Sequence, residues 1–381
     1  MQPVSASKNL PDHDTDARMM AYALRMAERG LGRTWPNPSV GCVLVKNHQV
    51  IAAAHTATGG RPHAETQALA SAAGAARGST AYVTLEPCAH QGHTPPCAQA
   101  LIDAGVARVV IACIDPDARV RGKGIAMLEQ AGIAVTSGVM EPQAQRLHAG
   151  FFSRLQRNRP HISMKIATSL DGKIANAAGI SQWITGEEAR SYAHRLRMRH
   201  DAILTGIGTV LADNPALTCR LAGLETYSPV RVVVDSQLRI PIHSQLVQNA
   251  RQVPLWLLTT NTNPSLHAPL QACGAKIAII EATNGRVCLH AATAWLATQG
   301  ISTLLTEGGA ALNGSLWQSG LVDTLYWFRA PIALGANAAD ALACHVANAP
   351  SELPRLQRED VIPLGNDLLE IYTGTSHNRI P

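Results

Sequence analysis

Apolar and polar positions alternate along this chain in two successive blocks of α/β character. From Asp14 to Gly30 the apolar residues Met19, Met20, Ala23, Leu24, Met26 and Ala27 recur at helical spacing, and Gly30 is a stop signal. Val40 to Val45 reads as a buried strand, Asn47-His48-Gln49 as a hairpin turn, and Val50 to Ala54 as the returning strand. An alanine-rich helix is predicted from Ala64 to Ala76, then a short strand at Thr80–Leu85, a helix opening at Cys97 and a strand at Arg108–Ala112. A helix from Gly124 to Ala131 and a strand from Ile133 to Thr136 complete the block. Gln145–Leu147 and Phe151–Leu155 read as a helix closed by Arg157, Arg159 and Pro160. A second alternation then starts. Strands are expected at Ile162–Ala167, Ala202–Thr205, Val230–Val234, Leu255–Leu258, Lys276–Ile280, Thr303–Thr306 and Thr324–Phe328, with a helix at Glu187–Arg199. The expected organisation is a domain over residues 1–147, a linker over 148–160 and a second domain over 161–381, each a layered α/β fold.

Composition narrows the class. At 381 residues each half can bury its own core. A net charge of +5 is compatible with an anionic small molecule and does not require nucleic acid. Aromatic residues are only 4% and do not interleave with a basic patch, so a nucleic-acid partner is not expected. Eight cysteines scattered over such a length do not make a disulfide framework and suit a reducing compartment. The stretch Met1–Pro11 has no apolar core region of a signal peptide, and no run reaches the length of a membrane span. A cytoplasmic protein without membrane contact is expected.

The sharpest chemistry lies in Pro62-His63-Ala64-Glu65, answered by Glu86-Pro87-Cys88 and Pro96-Cys97. One imidazole and two thiolates fill three corners of a tetrahedral zinc site, His63, Cys88 and Cys97, and leave the fourth for water. Bound zinc lowers the pKa of that water from roughly 16 to about 7. Glu65 is not needed as a ligand and is free to carry protons. Zinc nucleobase deaminases share the pattern H-x-E…P-C-x-x-C, but here the second half is stretched to P-C-x8-C. The alternatives are a structural zinc closed by His90 or His93, or no metal; Glu65 decides for catalysis, since a structural clip does not require it. The ligand types also admit iron or cobalt. In the second half, Gly206-Ile207-Gly208 lacks the third glycine of a dinucleotide fingerprint and is weak alone. Glu307-Gly308-Gly309-Ala310 is stronger, because it follows a strand and opens a helix whose N–H groups can cradle a phosphate.

Asn37-Pro38, His63-Ala64-Glu65 and the run Thr84 to Cys97 resemble the deaminase half of the bifunctional riboflavin-biosynthesis deaminase/reductase family. Met164 to Lys173, Ser181 to Thr185, Asp213 to Thr218, Val234-Asp235-Ser236 and Glu307-Gly308-Gly309 resemble its reductase half. The resemblance implies a cytidine-deaminase-like three-layer domain followed by a dihydrofolate-reductase-like domain, and a homo-oligomer, dimer or tetramer. It implies zinc-dependent loss of ammonia from a phosphoribosylated diaminopyrimidine, then NADPH-dependent reduction of the ribosyl group to ribityl. Glu65 would take a proton from the attacking water, pass it to the ring and protonate the departing amine, with Asn37 and His55 contacting substrate. Ala167, Trp183, Thr209, Asp213, Ser236, Gly309 and Ala310 match positions around NADPH. Ser181, Arg197, Leu217, Arg220 and Glu307 match positions around the second substrate, the arginines suiting a phosphate. Lys165 would supply a proton as hydride reaches C1′. Two departures stand out: His93 occupies a loop position often Lys or Arg, and the D-P-N-P turn reads Asp115-Pro116-Asp117-Ala118. The rival readings are a deaminase with a decayed reductase half and a zinc-stabilised nucleic-acid-binding protein.

Overall fold

The computed structural model describes residues 13–90, 95–345, 349, 351–353 and 355–374. Met1–Pro11 and His93 lie outside them. The chain divides into two compact units, residues 1–157 and 158–381.

In the first unit, α1 (His13–Glu28) precedes the hairpin β1 (Gly41–Lys46) and β2 (Gln49–His55). Asn47 and His48 both take positive φ, 50° and 61°, as a two-residue turn matched to strand twist demands. Next come α2 (Ala64–Ala72), β3 (Thr80–Val83), α3 (Cys97–Asp103), β4 (Arg108–Ile111), α4 (Lys123–Gln130), β5 (Ala134–Ser137), α5 (Glu141–Leu147) and α6 (Ala149–Arg157). The sheet order is β2-β1-β3-β4-β5, antiparallel through β2-β1-β3 and parallel from β3 to β5. Helix α2 is shorter than its alanine run predicts, because Ala73 turns left-handed (φ 44°) and ends it. Val43, Leu44, Ala68, Leu101 and Val110 form the fully buried centre, and Phe151 and Phe152 of α6 pack against this core. Asp16 of α1, buried, accepts both guanidinium arms of Arg108 at 2.9 and 2.6 Å and the Tyr82 hydroxyl at 2.9 Å, pinning the helix across β3 and β4.

The second unit contains β6 (His161–Thr168), β7 (Lys173–Ala175), α7 (Glu187–Arg199), β8 (Ala202–Gly206), α8 (Ile207–Asp213), β9 (Val230–Val234), α9 (Gln245–Gln248), β10 (Leu255–Thr259), α10 (Pro264–Ala272) and β11 (Lys276–Ile279). A small hairpin, β12 (Ala282–Thr283) and β13 (Arg286–Val287), leads to α11 (Leu289–Thr298), β14 (Thr303–Thr306), α12 (Ala310–Gln318), β15 (Thr324–Arg329), β16 (Ala339–Asp340), β17 (Gln357–Leu364) and β18 (Asp367–Thr373). The main sheet runs β11-β10-β9-β8-β14-β6-β15-β18-β17, parallel up to β15 and antiparallel beyond. The parallel strands are continuous apolar runs because helices cover both faces. The two terminal strands have no counterpart in the hydrophobic pattern. Gln357–Leu364 is mostly exposed, an edge strand whose pairing rather than its side chains makes it β.

Candidate active sites

The ends of parallel strands and the starts of the following helices supply the reactive groups of the first unit, the usual place for ligands in an open α/β sheet. His63 caps α2, Cys97 opens α3 after Pro96, and Cys88 lies beyond the end of β3. Their ligand atoms lie within 4.8 Å of one another. His63 Nδ1 is 3.3 Å from Cys97 Sγ and 3.8 Å from Cys88 Sγ. Tetrahedral zinc with ordinary Zn–N and Zn–S bonds sets such ligands about 3.6 Å apart, so the donor set fits the metal in kind and in spacing. His90 does not join this cluster, which leaves three protein ligands among the described residues. The Cys88 thiol is pulled down to about 4, first by its hydrogen bond with Cys97 and then by His63; Cys97 is correspondingly pushed up.

Glu65 sits one residue into α2, only 3% exposed, and its Oε2 has no hydrogen-bond partner. Burial is the main reason its carboxyl is pushed up to about 7, against the pull of His63. Glu65, His63 and Cys88 line a cavity of about 150 Å³ shared with Asn37, Asp115, Asp117 and Arg119. Asn37 donates to the Gly60 carbonyl at 2.8 Å, which sets its place on the rim. His55, at the end of β2, does not line this cavity; its Nδ1 is 2.8 Å from the Thr56 carbonyl, and Thr56 lines the wall instead.

Sequence reading missed the role of Glu86. Its buried carboxylate accepts from four backbone N–H groups, those of Asp115, Gly122, Gly124 and Ile125, at 3.0–3.4 Å. It thereby ties the segment carrying Cys88 to the loop after β4 and to the start of α4, where orphan amides favour a negative charge. Gly124 allows the approach: a Cβ there would lie 2.1 Å from the Pro87 carbonyl oxygen. The motif Glu86-Pro87-Cys88 signalled only the cysteine, because the partners of Glu86 are backbone groups far along the chain.

In the second unit a cavity of about 430 Å³ gathers Lys165, Ala167, Ser181, Trp183, Arg197, Thr209, Asp213, Leu217, Arg220, Glu307 and Gly309 from segments up to 144 positions apart. Ser236 and Ala310 do not line it. Ser236 follows β9 and accepts the Val287 N–H, while Ala310 is the first residue of α12. The two glycine signals meet here: Gly309 N–H donates to Thr209 Oγ1 at 3.1 Å, joining the start of α12 to α8. Ser181 donates to Asp213 at 3.3 Å. Arg197 Nε and Nη2 grip both oxygens of Glu307 at 2.7 and 2.8 Å, its Nη1 donates to the Thr218 carbonyl, and Lys165 Nζ stands 3.9 Å from Glu307. Burial works against the Glu307 charge, but Arg197 and Lys165 hold its carboxyl down at about 2. Burial lowers Lys165 in turn. The fork of Arg197 is therefore occupied, Arg190 donates to the Thr185 carbonyl at 2.7 Å and lies over the Trp183 ring, and the guanidinium of Arg220 is the one left open to the cavity among the described residues. His194, not singled out in the sequence, also lines the cavity; burial and the neighbouring arginines hold it near 4, as a neutral ring.

Comparison with known proteins matches these two halves separately. The cytidine and deoxycytidylate deaminase zinc-binding region matches residues 13–113, and the RibD C-terminal domain matches residues 160–369. The chain is 40% identical over 365 residues to the riboflavin biosynthesis protein RibD of Escherichia coli K12, covering 93% of this chain and 98% of that one. It is 39% identical to RibD of Bacillus amyloliquefaciens, covering 92% and 94%. Among solved structures, Acinetobacter baumannii RibD superposes with a TM-score of 0.86 at 36% identity, over 96% of this chain and 100% of that one. A Thermotoga maritima diaminohydroxyphosphoribosylaminopyrimidine deaminase/5-amino-6-(5-phosphoribosylamino)uracil reductase gives 0.84 at 31%, over 95% and 99%. No helix among the described residues is long and apolar enough to cross a membrane. The chain belongs to the RibD family of bifunctional riboflavin-biosynthesis enzymes, a zinc-dependent deaminase joined to an NADPH-dependent reductase.

Proposed function

We propose that the first unit deaminates 2,5-diamino-6-(5-phosphoribosylamino)pyrimidin-4-one and that the second reduces the ribosyl group of the product to ribityl. The observation that carries the first step is Glu65, a carboxyl enclosed beside three metal-ligating side chains with one oxygen left without a partner. His63, Cys88 and Cys97 would hold the zinc, which when bound supplies a Lewis acid that makes water nucleophilic near neutral pH. Glu65, pushed up to about 7, populates both of its forms at working pH. Its ionised form accepts the proton of the attacking water, and its neutral form delivers protons to the ring nitrogen and the departing amine.

For the second step, Ala167, Trp183, Thr209, Asp213 and Gly309 form the wall that would hold NADPH, the hydride donor. Lys165, which lines the cavity with its ammonium lowered by burial, would give up a proton to the ring oxygen of the opening ribose. Glu307 holds Lys165 and Arg197 in position, and Arg220 takes the substrate phosphate. The exposed side chains Leu170 and Ile180 support a homo-oligomer formed through the second unit. Eight cysteines without a disulfide support a cytoplasmic location.

The test is a split assay on the purified full-length protein. Ammonia release is followed without NADPH, and NADPH oxidation after its addition. Both signals are expected. Ammonia alone would make the second unit a relic, and neither signal from zinc-loaded protein would remove the assignment of substrate.

A further inference from the structure

The deaminase cavity is an awkward host for a phosphorylated substrate. Four of its lining side chains are carboxylic acids, Glu65, Glu86, Asp115 and Asp117, and a phosphate monoester brings close to two negative charges. Three arginines line the same cavity, and their surroundings separate them. Arg119 is spent on Asp117: its Nε is 3.0 Å from both carboxylate oxygens and its Nη2 is 2.5 Å from Oδ2, so that pair brings no net charge. Arg154 donates to the Pro36 carbonyl at 2.7 Å and lies over the Phe151 ring. Arg61 differs from both. Its guanidinium is exposed, makes no hydrogen bond or ion pair among the described residues, and lies two residues before the ligand His63, near enough to act on it electrostatically.

We infer that Arg61 is the phosphate-recognising residue of the deaminase half: it receives the 5′-phosphate of the substrate at the cavity mouth and sets the preference of this site for phosphorylated over dephosphorylated pyrimidines. The inference rests on the substrate proposed above and extends it. A guanidinium with all five N–H donors free can take two phosphate oxygens at once, and forming that pair breaks no existing ion pair. Arg119 would have to abandon Asp117 to do the same.

The experiment compares wild type, Arg61→Ala and Arg61→Lys as full-length, zinc-loaded proteins. Ammonia release is measured on the ribosyl phosphate substrate and on the same compound freed of phosphate, with bound zinc determined in each sample. Loss of a charge-assisted pair is expected to raise KM for the phosphorylated substrate about 10- to 100-fold in Arg61→Ala. KM for the dephosphorylated compound, kcat and zinc content should stay level, and Arg61→Lys should recover part of the loss. An equal KM change on both compounds, or none on either, overturns the role of Arg61 while leaving the deaminase reading intact. Wild type that releases no ammonia from the phosphorylated compound overturns both.

Discussion

Glu65 and Glu307 are both carboxyls enclosed beside a cavity, and their surroundings give them opposite properties. Around Glu65 burial outweighs the pull of His63, one oxygen is left without a partner, and the carboxyl rises to about 7. Around Glu307 the same cost of burial is outweighed by Arg197 and Lys165, and the carboxyl falls to about 2. In the proposed reaction the first exchanges protons. The second is a fixed anion that holds two cations in place. A buried acid beside a ligand cavity therefore acquires its role from the cations around it, not from burial or residue type.

The contrast is broken most directly by Glu65→Gln. Removing the exchangeable proton should reduce ammonia release by about 10²- to 10⁴-fold, while NADPH oxidation with pre-deaminated intermediate stays at the wild-type level. Loss of both activities would mean that Glu65 supports the fold and not the reaction. Glu307→Gln should act the other way round. It strips Arg197 and Lys165 of their counter-charge, and breaking an enclosed pair costs about 3–5 kcal/mol, less here because the Arg197 and Glu307 side chains each retain 12% exposure. Urea unfolding should therefore show a clear loss of stability for Glu307→Gln and little for Glu65→Gln, with deamination retained in the former. Equal stability losses would erase the distinction.

Acid should sharpen the comparison in another way, since each unit contains a buried neutral histidine. Burial holds His148 and His200 near 4, well below the unfolded value of about 6.5. Between those values the unfolded chain binds more protons than the folded one. The histidine contribution is then flat above pH 6.5 and falls as pH drops towards 4, by about 1.4 kcal/mol per pH unit for each ring at most, while Glu65 and Asp115, pushed up by burial to about 7 and about 6, contribute with the opposite sign. The urea midpoint at pH 7 and pH 5.5 measures this, and His148→Gln or His200→Gln should flatten the profile. Because Glu65 and Asp115 offset part of this loss, the test is the difference from wild type: a histidine variant whose midpoint moves with pH just as the wild type's does would show that its ring is not held neutral by the fold.

Two glycines give the smallest effects, with opposite signs. Gly124→Ala forces a methyl against the Pro87 carbonyl and disturbs the Glu86 nest, for a loss of about 1–3 kcal/mol and weaker zinc retention. Gly208, inside α8, has open space where a Cβ would go, so Gly208→Ala should stabilise the fold by about 0.5–1 kcal/mol. Thermal melting with zinc analysis reads both. A Gly124→Ala protein that melts no lower than wild type would mean that the Pro87 contact relaxes at no cost.

Much of the fold was legible from local pattern. The strands of both parallel regions are short apolar runs bounded by turn residues, and helices such as α7 coincide with their predicted span, because burial on both faces leaves a strong local signature. Strand β17 escaped because an exposed, charged edge is made a strand by its neighbour's hydrogen bonds, and β18, an interior strand paired on both sides, is interrupted by the buried charges Asp367 and Glu370. Metal chemistry was equally legible, since imidazole, two thiols and a spare carboxyl at that spacing have few other uses.

By itself, then, the sequence determined two layered α/β halves, the candidate ligand triad and the carboxyl beside it, all properties of residue type and nearby order. The tertiary structure decided which charges are free. Arg197 and Arg220 look alike in the chain, as do Arg61 and Arg119. Only folding brings Glu307 to the first and leaves the second open, and only the turn after β4 curls Asp117 onto Arg119 and leaves Arg61 exposed. Coulomb energy depends on distance in space and on local dielectric, and neither quantity is written in the order of residues.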